Sequence, residues 1–442
     1  MNRSITRLSA RLVVAAGVLG ALSGVGGCSA SKSLFFANAN LQAIQRDTIG
    51  SDGRVRSTVQ DPQNAVNGTI RLAAVESLDL VPVTLEVPAG EIPPPFNVAR
   101  TLNVPPGFQA TLHAHGLGNP RDIVVREDGT IFYSNSMGGT IMAIAPSGER
   151  STIASGLESP HGLEMFNGAL YYSDEKRVFR YDFTSPSTTS GTSTMLTDRV
   201  PPAGMHYHRT IRYVPNDRKL YIAVGSVDNR SEPDNPETGT VMRIPLAGGK
   251  TEVAMRGLRN VTGLDVHPVT GELWGVDEGA DWLGEDVPPE EVNILATGRS
   301  YGWPQFYGDG FRDPDFMGPD TTRYRKGEVP VISLQAHSTP ADMTFYRSSA
   351  LGPDWLNSML ITYYGSRDRS QPTGFKVVRV RSEQNGANAK QADVVTGFLT
   401  DDGEQWGRPT GIAVTADGTT FYITDDRAGA IYKIHRPLAP RR

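Results

Sequence analysis

The feature that most constrains the fold of this chain is a segment that recurs six times. Each copy has a lead-in with Gly, Pro, Arg or His, a short apolar strand, a turn, and a second strand rich in aromatic residues. The copies are GLGNPRDIVVREDGTIFYSN, GLESPHGLEMFNGALYYSD, MHYHRTIRYVPNDRKLYIAVG, GLRNVTGLDVHPVTGELWGVD, AHSTPADMTFY with NSMLITYYG, and WGRPTGIAVTADGTTFYITDD. Such repetition indicates one structural unit used several times around a shared core.

The spacing of the copies predicts their arrangement. By subtraction, successive copies are 40, 48, 53, 79 and 69 residues apart, counted from the first-strand positions Ile123, Leu163, Ile211, Leu264, Met343 and Ile412. Blades of about 40 or more residues, each a small antiparallel sheet, are typical of a β-propeller. We therefore predict an all-β, six-bladed β-propeller over residues 101–437, closed by pairing of Gln109–His115 with Ile431–His435. A β-sandwich, the competing architecture, does not explain six similar lead-ins.

The N-terminus has the features of an export signal. Three arginines within the first 11 residues precede Leu12–Leu22, an apolar stretch too short for a comfortable membrane span. Val25–Cys28 then resembles a bacterial lipobox, in which the cysteine is lipidated. We predict that residues 1–28 are a signal peptide with a lipobox, and that the protein is anchored at Cys28 in the bacterial cell envelope or periplasm. The alternative is an ordinary signal peptide with a chance cysteine, the only one in the chain.

Residues 29–100 separate this signal from the repeats. Glu91–Pro95 is proline-rich, as in stiff linkers, and Leu78–Val87 has the apolar content of a strand or two. We predict a tether or linker of unassigned function.

The charge balance bears on the partners. The chain has 43 Lys and Arg against 48 Asp and Glu, a net charge of −5, with no basic block. A nucleic-acid partner is therefore excluded. The single cysteine also excludes an internal disulfide framework.

The six lead-ins place polar residues at comparable positions. In chain order these are Arg121-Asp122, His161, His206 to Arg209, Arg259-Asn260, His337 and Arg408. Loops on one face of a propeller converge over its axis, where function collects. Several His and Arg around one opening predict a cationic pocket able to transfer protons. Each residue taken singly is also compatible with a simple hydrogen bond to a neighbouring loop.

The stretch Gly257–Pro304 carries the densest polar chemistry. Arg259-Asn260 combines a planar guanidinium with an amide, a pair suited to an anionic ligand. The loop from Asp277 to Glu291, here called the acidic loop, is rich in carboxylates, and its Gly and Ala leave backbone carbonyls accessible. Hard oxygen ligands of this kind suit Ca²⁺. A solvated acidic surface loop is the alternative interpretation.

These segments resemble the glucose/sorbosone dehydrogenase family, six-bladed propellers that use pyrroloquinoline quinone (PQQ), and are most similar to its sorbosone branch. The resemblance runs from about Leu102 to His435 and rests on the order of the motifs Val104–Phe108, His206–Arg209, Gly257–Asn260, Asp277–Gly279 with Glu291–Asn293, Tyr301–Pro304, Gly374–Val378 and Gly407–Pro409. It implies a PQQ- and Ca²⁺-dependent oxidoreductase. Its substrate would be a sugar or aldehyde, oxidised by hydride transfer to the quinone, with a quinone or cytochrome as electron acceptor.

The resemblance also implies roles for individual residues. His206 is then the general base, with His208 as the alternative, and an imidazole of ordinary pKa, about 6.5, suits that task. Arg259 has a catalytic and cofactor-binding role, and the other cofactor-binding candidates are Asn260, Arg408, Arg367, Arg369, His161 and His337. The metal candidates are Gly279 and Ala280 for the Ca²⁺ that binds PQQ, and Glu291, Tyr301 and Asp309 for a second, structural Ca²⁺.

Two departures from the family pattern affect substrate and activity. Ser226 occupies the place of an Asp that orients the catalytic His in the glucose enzyme, and Gly365–Arg369 lacks the Trp of the corresponding run. A lactonase-like hydrolase and a non-catalytic binding propeller therefore stand as alternative functions, and fold alone does not choose among them. The cations Arg259 and Arg408 favour the dehydrogenase, because a quinone tricarboxylate needs cations and a lactone does not.

Overall fold

A computed structural model describes residues 69–437 except Glu91, Ala203, 317–325 and 367–368, and also the backbone of 44–49 and 55–60. The predicted signal peptide, Cys28 and Arg367 lie outside the described residues. Within them, no helix has the length and apolar character needed to span a membrane.

The strands that precede the ring are short. They are β1 (Ile44–Ile49), β2 (Val55–Gln60), β3 (Thr69–Arg71), β4 (Ala74–Val75), β5 (Val81–Thr84), β6 (Thr101–Val104) and β7 (Gln109–Ala114). β1, β2 and β3 form one sheet, and β5 pairs with β6. The other two strands, β4 and β7, belong to the sheets of blades five and six, as described below.

Six antiparallel sheets of four strands form the blades. Blade one is β8 (Pro120–Val125), β9 (Ile131–Asn135), β10 (Thr140–Ile144) and β11 (Arg150–Ala154); blade two is β12 (Leu163–Phe166), β13 (Ala169–Ser173), β14 (Val178–Phe183) and β15 (Gly191–Thr197); blade three is β16 (Ile211–Val214), β17 (Lys219–Val224), β18 (Thr240–Pro245) and β19 (Glu252–Arg256). The first strand of each blade, here called its inner strand, contains the first-strand position predicted for that copy of the repeat.

Blade four is β20 (Val261–Val266), β21 (Leu273–Asp277), β22 (Glu290–Leu295) and β25 (Ile332–Leu334), with an insertion that holds β23 (Phe306–Tyr307), β24 (Phe311–Arg312) and the 3₁₀ helix Pro314–Phe316. Blade five is β26 (Pro340–Phe345), β27 (Met359–Tyr363), β28 (Lys376–Arg381) and β29 (Lys390–Val395), and blade six is β30 (Pro409–Val414), β31 (Thr420–Asp425), β32 (Ala430–His435) and β7. β7 pairs with β32, with Gln109 opposite His435. The six-bladed propeller and its predicted closure are confirmed.

Alternate copies of the repeat have a glycine at the same position, directly before the first-strand position. Gly162, Gly263 and Gly411 precede the first-strand positions of blades two, four and six, and each faces the backbone of the next inner strand. A Cβ at Gly411 would lie 2.3 Å from the carbonyl oxygen of Arg121, and one at Gly263 would lie 2.4 Å from the amide nitrogen of Met343. Real Cβ atoms do not approach so closely, so the ring closes around positions that only glycine fits.

Acidic side chains also link neighbouring inner strands. Asp122 accepts a hydrogen bond from the Leu163 amide at 2.7 Å, and Asp342 accepts one from the Ile412 amide at 2.9 Å. Asp265 bonds the Phe345 amide at 2.7 Å in the same way. These bonds join blade one to two, four to five and five to six, and thereby fix the lead-in loops relative to one another.

Residues 70–100, within the stretch predicted as a tether, pack against the propeller. β4 adds a parallel fifth strand to the outer edge of blade five. Glu76 pairs with Arg379 and Arg381, each at 2.6 Å, and Phe96 meets the ring of Trp406 with centroids 6.3 Å apart. A covered edge strand cannot pair with another chain, so this segment completes the outside of the fold.

Candidate active site

The lead-in loops surround a cavity of about 520 Å³, within the ~300–1,000 Å³ common for small-molecule sites. Its polar lining comprises Asn119, Arg121, His206, Tyr207, His208, Asn260, Thr262, Glu278, Asp281, His337, Thr339, Tyr364, Arg408 and Asp426. Four of the predicted site residues, His206, Asn260, His337 and Arg408, therefore meet in one cavity. The convergence expected from the repeats brings these residues together.

A carboxylate at the end of the second strand holds the lead-in of the same blade. Asp277 accepts hydrogen bonds from the amides of Arg259 and Asn260, at 3.0 and 2.6 Å. Asp425 does the same for the Arg408 amide, at 2.8 Å. Burial raises the pKa of both carboxyls to about 6. The aspartates that end these copies of the repeat are thus the supports of the site.

His206 has one ring nitrogen engaged inside the protein. Its Nδ1 lies 2.9 Å from Ser226 Oγ and 3.1 Å from the Ser226 carbonyl oxygen. The carbonyl can only accept, and Ser226 Oγ donates its own proton to the Asp228 carbonyl at 2.5 Å. Nδ1 therefore carries the proton, which leaves the lone pair on Nε2.

The pKa of His206 differs from the ordinary value expected from sequence. Burial, followed by the nearby guanidinium of Arg259, lowers the pKa of His206 to about 3. Both effects disfavour the imidazolium. Ser226 supplies a neutral oxygen to Nδ1, so no carboxylate at that place offsets them. The imidazole is neutral, with an available lone pair, throughout the neutral pH range.

His208 has the opposite tautomer. Its Nδ1 lies 3.2 Å from Nη2 of Arg121, and a guanidinium can only donate. Nδ1 must accept, so the ring proton sits on Nε2 and neither nitrogen offers a free lone pair. Burial and Arg121 hold the pKa of His208 well below its usual range. Of the two candidate bases, only His206 can take a proton in this arrangement.

Arg121 and Arg408 form one side of the cavity with Tyr364, Asp426 and His208, and this set is here called the basic wall. Both guanidiniums bond Asp426, each at 2.6 Å. Both also lie over the Tyr364 ring, 5.3 and 4.0 Å from its centroid. Arg121 Nε is buried with no hydrogen-bond partner among the described residues. The wall has two cations for one carboxylate and an unused donor.

Three predicted cofactor residues do not line the cavity. Arg259 is 2% exposed, and its guanidinium bonds Asn229, Asp281 and the carbonyl of Glu278. Arg369 pairs with Asp286 at 2.8 Å. The third is His161, whose ring lies behind His208 at 4.8 Å and whose Nδ1 has no partner within the described part of the chain. These residues support the lining rather than form it.

The predicted metal residues surround a second, much smaller cavity of about 30 Å³, whose lining includes Gly279, Ala280, Glu291 and Tyr301 but not the exposed Asp309. Glu291 bonds the Gly308 amide at 2.7 Å, and burial, then Asp277, raises its pKa to about 8.

The hydroxyl of Tyr301 is unavailable to a metal. It donates to the Ile294 carbonyl at 2.7 Å and accepts from the Ala296 amide at 2.8 Å. Among the described residues, no three His, Cys, Asp or Glu side chains are arranged to hold a metal ion. A cation here would therefore need backbone carbonyls in addition to a carboxylate such as Glu291.

Sequence reasoning missed Tyr364, Asp426 and Trp282, which all line the main cavity. A signal existed for one of them. The second strand of blade six is followed by a second aspartate. The first of the two, Asp425, accepts a hydrogen bond from the Arg408 amide, just as Asp277 accepts one from the Arg259 amide in blade four. The second, Asp426, is thus left for the cavity.

Comparison with known proteins identifies the family to which this chain is related. The model of the family "Glucose / Sorbosone dehydrogenase" matches residues 171–433. This chain belongs to that family. The result confirms the resemblance carried by the motifs.

Two relatives illustrate the breadth of the glucose/sorbosone dehydrogenase family. The chain is 28% identical over 356 residues to an uncharacterized protein of Borreliella burgdorferi, covering 76% of this chain and 92% of that protein. It is 23% identical over 400 residues to a pyrroloquinoline quinone-dependent sugar dehydrogenase of Hypocrea jecorina, covering 75% and 88%. Among solved structures, the holo PQQ domain of pyranose dehydrogenase from Coprinopsis cinerea superposes with a TM-score of 0.64 at 18% identity, over 80% of this chain and 100% of that one.

Proposed function

We propose that this protein is a PQQ- and Ca²⁺-dependent oxidoreductase that oxidises a sugar or an aldehyde. One observation carries the proposal: a neutral imidazole with a free Nε2, His206, shares a cavity with a doubly cationic wall. Oxidation of a sugar lactol or of a hydrated aldehyde needs a base for the hydroxyl proton and an acceptor for the hydride. The names of the Hypocrea relative and the Coprinopsis neighbour support PQQ as that acceptor.

The basic wall fits a cofactor that carries several carboxylates. Arg121 and Arg408 have one internal carboxylate between them, Asp426, and Arg121 Nε is a buried donor without a partner among the described residues. Guanidinium groups bind carboxylates through charge-assisted hydrogen bonds. We therefore assign the carboxylates of PQQ to this wall. When bound, the quinone supplies an electrophilic carbonyl, which Ca²⁺ polarises, as the acceptor for the hydride.

His206 performs the proton transfer. Its Nε2 accepts the proton of the substrate hydroxyl, while Nδ1–H keeps its bonds to Ser226 and holds the ring in place. Asn260 ties its own lead-in to the acidic loop, because its side-chain nitrogen donates a hydrogen bond to the Glu278 carboxylate at 2.7 Å. Gly225 lets the two loops meet, since a Cβ there would lie 2.5 Å from His206 Cβ and 2.8 Å from Asn260 Oδ1.

Gly279 and Ala280 are the residues we assign to Ca²⁺, through their carbonyl oxygens. Their conformation is set by Glu290, a buried carboxylate that accepts hydrogen bonds from the Gly279 amide at 2.8 Å and the Thr339 amide at 2.9 Å. Ca²⁺ takes backbone carbonyls readily. Glu291 is the nearby carboxylate we assign to a second, structural Ca²⁺, with the Tyr301 carbonyl.

The quinone spectrum of the purified protein tests this function. PQQ and Ca²⁺ are added together, and then a panel of sugars and aldehydes. We expect a bound-quinone spectrum that changes to the reduced form with at least one substrate. Arg408→Ala, which removes one cation of the basic wall, should weaken the bound-quinone spectrum. Arg180→Ala, which removes an exposed arginine paired with Asp182 on blade two, is the matched control for that loss of positive charge. A protein that binds no PQQ in the presence of Ca²⁺ contradicts the proposal.

The location is proposed from the N-terminal sequence. We expect export to the cell envelope and lipidation at Cys28, with the membrane contacted through the lipid. Mass spectrometry of the mature N-terminus checks this. An unmodified N-terminus at another residue refutes lipidation and leaves export standing.

A further inference from the structure

The mouth of the main cavity is apolar, although its interior is charged. Met137, Met205, Tyr207 and Trp282 line the cavity and are all exposed to solvent. Trp282 is the largest of them and is 64% exposed, whereas His206 in the same cavity is 8% exposed. A cluster of exposed apolar side chains around a pocket marks a binding surface.

The backbone presents Trp282 in a fixed position. Its φ is 66°, in the left-handed region that a bulky residue rarely adopts. On one side, Asp281 receives hydrogen bonds from Asn229 at 3.0 Å and from Arg259 at 3.0 Å. On the other, the Gly284 carbonyl accepts a hydrogen bond from His337 at 2.7 Å. The loop is thus held on both flanks while the indole faces the cavity mouth.

The chemistry of an exposed indole beside a polar cavity matches a sugar ring. A pyranose has hydroxyl groups at its edge and an apolar C–H face, and aromatic side chains supply large, rigid apolar area. His206 lies deep in the cavity and Trp282 at its mouth. A substrate that has its first ring at His206 and extends toward the mouth would bring a second ring to the indole.

We infer that Trp282 is a stacking platform for the outer ring of a substrate with at least two sugar rings. This inference rests on the proposed function, in which the reacting ring lies at His206. It makes Trp282 a specificity-determining residue, with Arg259 as the positioning residue that holds its loop.

Iodide quenching of tryptophan fluorescence tests the contact without PQQ. The chain has five tryptophans, and Trp274, Trp355 and Trp406 are buried while Trp303 is half-buried. Iodide therefore reports mainly on Trp282, and Trp282→Phe should lose most of the quenching. We expect saturating cellobiose to protect Trp282 from iodide and glucose to protect it much less. Equal protection by the two sugars, or none, overturns the inference.

Steady-state kinetics supply the second readout. In Trp282→Ala we expect the KM for cellobiose to rise about threefold to tenfold, the value of one aromatic contact, with kcat and the KM for glucose little changed. Trp282→Phe should recover part of the loss. Val269→Ala changes an apolar residue that is also more than half exposed and lies away from the cavity; it is the control and should match the wild type.

The outcomes separate this inference from the proposed function. Protection by cellobiose in a protein that oxidises neither sugars nor aldehydes supports the stacking site and removes the proposed function. Sugar oxidation with no protection, and with an unchanged KM in Trp282→Ala, supports the proposed function and overturns the stacking site. A raised KM for the electron acceptor alone makes the mouth a docking surface for that acceptor and overturns the inference.

Discussion

The basic wall and the acidic loop face the same cavity, but they use their charges differently. In the basic wall, Arg121 and Arg408 share Asp426 and a buried donor remains unused. In the acidic loop, Asp277 and Glu290 each accept two backbone amides, and Asp281 pairs with Arg259. The wall therefore keeps charge for a ligand, whereas the loop uses its carboxylates to shape its own backbone.

The difference teaches what each side can offer. A cation with a spare donor attracts an anion directly. A carboxylate already bonded to amides fixes a loop, and what that loop then presents is its carbonyl oxygens. The neutral histidines add no charge to the wall, because burial keeps the pKa values of His161 and His208 well below the usual range.

The largest expected effect lies between the two sides, at His206. His206→Ala should keep the quinone spectrum after addition of PQQ and Ca²⁺, but reduce the quinone about 10²–10⁴-fold more slowly with substrate, because a positioned base is lost. Single-turnover absorbance measures this. His208→Ala is the control and should slow the reaction less, since its ring has no free lone pair. Full activity in His206→Ala with loss in His208→Ala would move the base to His208.

Arg259→Ala tests whether the acidic loop depends on internal pairing. The change removes the buried guanidinium that pairs with the partly exposed carboxylates of Asp281 and Glu278, and loss of hydrogen bonds to charged groups costs about 1.5–3 kcal/mol of folding free energy. Calorimetry should show a clearly lower unfolding temperature, together with weaker Ca²⁺ binding. An unchanged unfolding temperature with loss of PQQ alone would place Arg259 in direct contact with the cofactor and erase the contrast drawn here.

Arg408→Ala tests the basic wall with the same two measurements. It should weaken PQQ binding and leave the unfolding temperature nearly unchanged. Asp426 keeps Arg121 as its partner, so the unfolding temperature should change little. The Kd for PQQ should rise on the order of tenfold to a hundredfold, the value of one charge-assisted hydrogen bond at ~1.5–3 kcal/mol. Fluorescence titration with PQQ measures it, and an unchanged Kd contradicts the role assigned to the wall.

Ser226→Ala should have a small effect. Without Oγ, the Ser226 carbonyl at 3.1 Å still accepts from His206 Nδ1, so the tautomer is retained. Loss of one neutral hydrogen bond, ~0.5–1.5 kcal/mol, corresponds to a decrease in kcat of about twofold to tenfold. A decrease as large as that of His206→Ala would show that Oγ, not the carbonyl, fixes the ring.

The smallest expected effect is on the pH profile. A His is the active base only when neutral, so activity falls as pH drops through its pKa. Because that pKa is lowered to about 3, His206 should cause no decrease in kcat/KM between pH 8 and pH 5. An acid limb near 6.5 that disappears in His206→Gln would show that the bound substrate or cofactor restores an ordinary pKa.

The sequence by itself determined the ring and the convergence of the site. Six repeats with the inner positions Ile123 to Ile412 predict six blades, and the repeat places His206, Asn260, His337 and Arg408 on loops that share one mouth. Local patterns suffice here, because strand alternation and turns depend on neighbouring residues. Even the glycines at 162, 263 and 411 are visible in the repeat, although their reason is the approach of the next blade.

Only the tertiary structure decided which side chains face the ligand. Arg259 turns to Asn229 and Asp281, and Arg121 meets Asp426, 305 positions away in the chain. The low pKa of His206 and the packing of residues 70–100 on the ring are likewise products of closure. A side chain's partner and its degree of burial depend on segments far apart in sequence, and a repeat pattern contains no information about which of them meet.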